Sequence, residues 1–328
     1  MIERRAFLIG AAAVVVATPS IGSAAPASKV YRIGILEARP AAENAVNLDA
    51  FRHGLEELGY VEQRQYVLEY RSADGLPDRF PTIAAELVRI PVDVILAAGT
   101  VAVLAAKAAT KTIPIVMTSS GDPIGAGAVG SLPYPGGNVT GVSALVAEIS
   151  GTRMQVLKEA VPTAQRVALL LDMSNPALAT QWTATKAAAA SMKLVPVLLD
   201  VRRAEDLPSA FERAARERVD AMVVGRGAVS LHNARRIADL ALRHRLPTMS
   251  PSREFVEAGG LLAYGVNYAE LYRYSAKFVD KIFKGAKAGN LPVEEPTNFE
   301  LTINLLTANK LGLIIPSSLL SRADRVIK

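Results

Sequence analysis

The sequence predicts an α/β protein of two Rossmann-like lobes, each a parallel sheet with helices on both faces. Three observations carry this. Short apolar runs rich in β-branched residues alternate with segments whose apolar residues recur every three or four positions, the pattern of repeated β-α units. The alternation falls into two series of five strands, which suits two doubly wound sheets better than one very wide one. The chain has 328 residues, too many for one typical domain and comfortable for two.

The first series opens with Val30-Tyr31-Arg32-Ile33-Gly34-Ile35-Leu36, a buried strand. Leu48, Phe51, Leu55 and Leu58 then form one stripe of a helix that Gly59 ends. Tyr66 to Tyr70 reads as a strand, and 77–89 as a helix with Phe80, Ile83 and Leu87 on one face. Val92 to Ala98 is a strand, 101–109 an alanine-rich helix and 113–117 a strand. A helix is expected over 124–132, a turn at Pro133-Tyr134-Pro135-Gly136-Gly137, and a strand over 138–142. The second series runs helix 152–160, strand 166–171, helix 176–192, strand 195–199, helix 204–217, strand 221–224, helix 232–243 and a short strand at Thr248-Met249. Strand 261–264, helix 268–284, a proline-bearing linker and a tail over Phe299 to Asn304 with a short helix complete it. Right-handed crossovers follow from strand twist.

The N-terminus reads differently. Glu3-Arg4-Arg5-Ala6-Phe7-Leu8 precedes an apolar run to Ala17 and the small residues Gly22-Ser23-Ala24-Ala25, a secretory leader of the twin-arginine kind over 1–24. The run is shorter than the roughly 20 residues of a membrane helix. Cleavage is expected after Ala24, with Ala27 second. That places the mature chain outside the cytoplasm, where chemistry needing ATP or NADH is scarce. Half the residues are hydrophobic and 21% charged, the balance of a globular protein. With no cysteine, the fold depends on burial alone and lipid attachment through an N-terminal cysteine is excluded. Loss of Glu3, Arg4 and Arg5 with the leader takes the net charge from +6 to +5. Arg202-Arg203 and Arg235-Arg236 read as solvated helix faces, not a nucleic-acid patch.

In open parallel sheets the ligand sits beyond the carboxyl ends of the strands. Those ends carry Leu36-Glu37, Gly99-Thr100, Thr118-Ser119-Ser120-Gly121-Asp122 and Val142-Ser143 in the first series. In the second they carry Asp172, Gly225-Arg226-Gly227 and Ser250. Several open helices, where free amides attract an anion. Ser and Thr at such junctions also serve as plain N-caps; their recurrence in both halves points to a cleft. His53, His232 and His244 lack metal-type spacing to a second ligand. Only Asp122, Asp172 and Glu37 are placed to act as a base. The expectation is a binding protein with no catalytic residue, metal or cofactor. Gly125-Ala126-Gly127-Ala128-Val129-Gly130 fits G-x-G-x-x-G, but Asp122-Pro123 has already turned the chain away from its strand, so close packing is the better reading. Trp182 suits core or cleft wall, Tyr264 a ligand contact, Phe255 packing, and Tyr272 and Tyr274 core or surface.

Gly121-Asp122-Pro123, Pro135 to Gly141, Arg253 to Gly260, Lys281 to Lys287, Phe299 to Asn304 and Leu311 to Pro316 resemble the ABC transporter substrate-binding proteins of the tryptophan/tyrosine-binding type. The resemblance covers nearly all of the chain after the leader. It implies a type I periplasmic-binding-protein fold with three crossovers and a ligand between the lobes, 29–143 with 265–290 forming one and 144–264 with 291–328 the other. The implied pocket draws on Glu37, Thr100, Ser119, Ser120, Asp122 and Ser143 from the first lobe, and Asp172, Asn175, Gly225, Arg226 and Ser250 from the second. Tyr264 and Asn267 lie near the hinge. Members bind aromatic amino acids and tend to have a Pro-Thr-Asp-like turn where this chain has Gly225-Arg226-Gly227. An arginine there favours an anionic ligand and removes a partner for an ammonium group. The implied function is a periplasmic, monomeric solute-binding protein that delivers an amino acid or related carboxylate or amide to the membrane permease of an ABC importer. A periplasmic sensor for a membrane signalling receptor would use the same lobes. A DNA-binding regulator of similar fold would need a helix pair at the N-terminus, where the leader stands.

Overall fold

The computed structural model describes residues 29–328; the expected leader lies outside them. The first sheet holds β1 (Tyr31–Glu37), β2 (Tyr66–Ser72), β3 (Val94–Ala97), β4 (Ile115–Ser120) and β5 (Val139–Ser143). These strands are parallel, in the order β2-β1-β3-β4-β5. The second sheet holds β6 (Arg166–Leu171), β7 (Val195–Asp200), β8 (Ala221–Val224), β9 (Thr248–Ser250), β10 (Leu262–Gly265), β11 (Glu300–Asn304) and β12 (Arg325–Ile327). Its order is β7-β6-β8-β9-β10-β11-β12, so its first five strands repeat the first sheet's winding.

Helices cover both faces of each sheet, which is why the strands read as unbroken apolar runs. In the first lobe they are α1 (Ala45–Glu57), α2 (Phe80–Arg89) and α3 (Thr100–Ala109). The second lobe has α4 (Ser150–Ala160), α5 (Pro176–Ser191), α6 (Leu207–Arg216), α7 (Ala228–His232), α8 (Ala234–Arg243) and α9 (Arg253–Glu257). After β10 the chain returns to the first lobe as α10 (Tyr268–Phe283), then ends with α11 (Leu305–Leu311) and α12 (Ser317–Leu320) in the second. Ile33 and Ile35 of β1 pack with Phe51 and Leu55 of α1 and Tyr272 of α10. Leu36, one residue on, faces the other way, toward Phe80 and Leu87 of α2. Leu169 and Leu170 of β6 divide likewise, the first toward Met154 and Leu178, the second toward Phe211 and Ile237. Of the stripe read for α1, Leu48, Phe51 and Leu55 are buried, while Leu58 caps the helix and is exposed; Gly59, at φ +87°, closes it as Tyr60 N–H reaches back to the Leu55 carbonyl.

Four expectations change. Residues 124–132 form turns, not a helix: the Asp122 carboxylate accepts the Gly125 N–H, and Gly127 adopts φ +72°, which stops helical propagation. The helix expected over 232–243 begins at Ala234, and His232 instead ends a separate short helix, Ala228–His232. Ser119 and Ser120 lie within β4 rather than beyond it. The tail adds two strands to the second sheet, β11 antiparallel to β10 and β12 parallel to β11.

The chain passes between lobes after β5, after β10 and before β11. Ala144, Val146 and Val266 pack in the first lobe's core. Leu291 and Val293 pack there too, and the backbone of Glu294 pairs with β5. Arg153 of α4, fully buried, joins two of the passages: its Nη1 donates to the Val146 carbonyl at 2.7 Å and its Nε to the Tyr264 carbonyl at 2.8 Å. Burial lowers its pKa to about 10. Among the described residues no helix is long and apolar enough to cross a membrane.

Candidate ligand cleft

Both sheets reverse their strand order at the first strand of the series, between β1 and β3 and between β6 and β8. Crevices form at the carboxyl ends of such pairs. Here the two crevices face each other. Ala38, Ala98, Gly99, Thr100, Ser119 and Gly121 from the first lobe and Asp172, Asn175, Arg226 and Gly227 from the second line one cavity of about 40 Å³, with Tyr268 of α10 as a further wall. A larger space of about 370 Å³ opens on the other flank of Arg226, between Arg39, Asn44 and Asn47 and the Ser250, Ser252 and Glu254 segment.

The first lobe's polar groups largely satisfy one another. Thr100, at the start of α3, accepts the Gly121 N–H at 3.1 Å, and its hydroxyl lies 3.2 Å from that of Ser120. Ser119 lies 3.4 Å from the Thr118 hydroxyl. The Glu37 carboxylate, almost wholly buried, accepts the Ala38 N–H at 2.6 Å and the Tyr272 hydroxyl. Burial, then the Glu37 charge, pushes the Tyr272 phenol well above its ordinary value, so it stays a donor. Arg39 Nη2 donates to Asn44 Oδ1 at 2.8 Å.

The second lobe contributes charge. Asp172 accepts both the N–H and the hydroxyl of Ser174, and Asn175 caps α5 through the Ala177 N–H. The guanidinium of Arg226 lies 3.6 Å from the ring centre of Tyr268. Burial opposes its charge, but Tyr268, Glu254 and Glu37 outweigh this and raise its pKa. Burial likewise opposes the charge of Glu254, yet Arg226, the Ser252 hydroxyl and Arg39 hold its carboxyl below the usual range.

The lobes touch across the cleft. Thr180 of α5 donates to the second carboxylate oxygen of Asp122 at 3.0 Å. His232 lies 3.4 Å from Glu43, and Arg203 lies 3.8 Å from Asp78. A Cβ at Gly121 would stand 2.9 Å from Ala177 Cβ, so only glycine permits this approach.

Of the residues expected in the pocket, Thr100, Ser119, Asp172, Asn175 and Arg226 line the smaller cavity, and Gly225, Arg226 and Ser250 the larger space. Glu37 and Ser120 lie directly behind that lining. Asp122 bridges the lobes at the rim. Ser143 accepts the Leu145 N–H at the first passage. Asn267 caps α10 and donates to Glu300 near a separate hollow. Tyr264 stacks on Phe299, its ring away from both spaces. Trp182 packs on the second lobe's core, as does Phe255. Sequence reasoning missed Tyr268, Arg39, Asn44 and Glu254. Tyr268 follows the Asn267 cap directly and Arg39 lies two residues beyond the first strand end, so both were within reach of the strand-end rule.

The comparisons with known proteins agree with this geometry. Residues 38–327 match the family model of the ABC transporter substrate binding protein. A tyrosine-binding protein of Clostridioides difficile (strain R20291) is 25% identical over 287 residues, 87% of this chain and 82% of that one. The crystal structure of an ABC domain from Streptococcus pneumonia in complex with L-Trp superposes with a TM-score of 0.84 at 26% identity, covering 91% of this chain and all of that one. A leucine binding protein from Thermotoga maritima shares the fold alone, with a TM-score of 0.56 at 14% identity over 83% of this chain and 97% of that one. The fold is that of the type I periplasmic binding proteins.

Proposed function

The chain belongs to the ABC transporter substrate-binding protein family, and from that membership and the cleft we propose an extracytoplasmic solute receptor. In this reading it delivers a small polar ligand, an amino acid or a related carboxylate or amide, to the membrane permease of an ABC importer. The observation that carries the reading is the facing of two switch points, each lined by polar groups, with lobes that touch around them. The relatives named for tyrosine binding and solved with L-Trp support an amino-acid-type ligand. Nothing is turned over in this scheme, which needs neither cofactor nor metal.

Closure is a hinge motion. The moving bodies proposed are the two lobes, joined by the three passages after β5, after β10 and before β11. Ligand stabilises the closed form because only that form touches it from both sides. Export through the leader at 1–24 and action as a monomer belong to the same proposal. Calorimetric titration and thermal unfolding against amino acids, carboxylates and amides test it. A true ligand at about 100 times its Kd stabilises by about 2.7 kcal/mol. No heat and no thermal shift across such a library would remove the receptor reading.

A further inference from the structure

Arg226 stands just beyond the carboxyl end of β8, and the structure shows what that arginine lacks. Nε and Nη2 of Arg226 are closed off from solvent and find no acceptor among the described residues. These two nitrogens form one edge of the guanidinium, with N–H bonds pointing the same way. That edge matches the two oxygens of a carboxylate. Arginine cannot shed its proton to escape the mismatch, and native structures rarely leave such a buried donor pair unmatched. The ring of Tyr268, 3.6 Å away, holds the guanidinium plane and so aims the edge. Arg226 lines both spaces of the cleft, which puts it at the centre of any ligand held between the lobes.

Resting on the receptor reading above, we infer that Arg226 determines specificity by taking the carboxylate of a singly charged solute on its Nε–Nη2 edge. The surroundings limit the charge. Three arginines, Arg39, Arg226 and Arg235, stand among five carboxylates, Glu37, Glu43, Glu254, Glu257 and Asp172. A dianion such as a dicarboxylate or phosphate would be repelled there. A monocarboxylate bearing a donor group, a hydroxyl or an ammonium, finds carboxylate acceptors in Asp172 and Glu254 on the lining. In the first lobe the hydroxyls bond one another, and Arg39, whose Nε is also without an acceptor among the described residues, has its Nη2 held by Asn44, so Arg226 alone presents a two-nitrogen edge.

The test titrates the purified mature protein with L-amino acids, 2-hydroxy acids, dicarboxylates and polyols, and with the primary amide of each acid. The expected result is binding of at least one monocarboxylate, with its amide roughly 10- to 100-fold weaker. Arg226→Gln should weaken the acid by a similar factor and bring the acid-to-amide ratio close to one, even if the loss of a cation beside Glu254 lowers the thermal midpoint of the free protein. That ratio isolates the pair from any general damage. Arg226→Lys should restore only part of the preference, since it keeps the charge and loses the fork. Tight binding of a polyol or dicarboxylate, or an acid-to-amide ratio unmoved by Arg226→Gln, overturns the inference and leaves the receptor reading standing. Binding of nothing at all overturns both.

Discussion

The two lobes share one winding and differ in what they set at its switch point. The first ends its central strands in Glu37, Gly99 and Thr100, groups whose hydrogen bonds are met from within that lobe by Tyr272, Ser120 and Gly121. The second ends them in Asp172 and Arg226, and Arg226 keeps an edge without an acceptor. In the proposed reading, common topology sets where a ligand sits, and the free two-nitrogen edge of Arg226 makes the second lobe the one that selects it. The first lobe acts as a preorganised wall and the second as the reader.

The largest contrast should appear in base. Of the nine tyrosines only Tyr264 belongs to the second lobe. Burial foremost raises Tyr60 and Tyr66 to about 12, and the Glu294 hydrogen bond foremost does the same for Tyr274. An unfolded tyrosine loses its proton near pH 10. The native state then holds more protons than the unfolded one, so stability is full below pH 10 and falls as pH rises toward 12. Beyond the contribution of exposed Tyr134, tyrosinate absorbance should rise in one cooperative step with the loss of the first lobe. Emission of Trp182, the single tryptophan, should report the second lobe separately. Coincident and gradual titration of both signals would break the contrast.

Arg153 serves neither lobe alone. Arg153→Met strips the Tyr264 carbonyl of its Arg153 donor and leaves the Val146 carbonyl with the Ser150 hydroxyl alone. The expected cost is roughly 2–5 kcal/mol in urea unfolding, with the two lobes unfolding in separate steps. Tyr272→Phe removes the hydroxyl that the buried Glu37 carboxylate accepts. It should cost about 1.5–3 kcal/mol, and ligand affinity should change less than it does in Arg226→Gln. Equal effects on affinity would blur wall and reader. Thr180→Val deletes the Thr180–Asp122 bond between lobes. It should weaken ligand binding by at most about tenfold through the closed state, with the unfolding free energy nearly unchanged.

Much of this was legible in the residues. The first strand, α1 with its glycine stop, and the strands at 166–171 and 221–224 follow from local patterning alone, because strands buried on both faces and one-sided helices leave clear periods. The turns at 124–132 escaped because the stretch has helical composition, while the deciding force is the Asp122 side chain bonding three residues ahead. β12 escaped because Arg325–Ile327 is short and gains its identity only by pairing with β11. In the cleft, the strand-end rule found Thr100, Asp172 and Arg226. It could not place Tyr264, whose ring turns to Phe299, or find Glu254, which reaches the cleft from a helix through its attraction to Arg226.

Closure on a solute is the central claim, and the absence of cysteine makes it directly measurable. Asp78 and Arg203 are exposed, one on each lobe, and lie 3.8 Å apart across the cleft. Surface pairs of this kind contribute little, so Asp78→Cys and Arg203→Cys can carry spin labels without cost to the fold. The free protein should give a broad, long distance distribution that collapses to one short distance when a binding solute is added. A single distance that stays the same with and without a solute proven to bind would contradict closure.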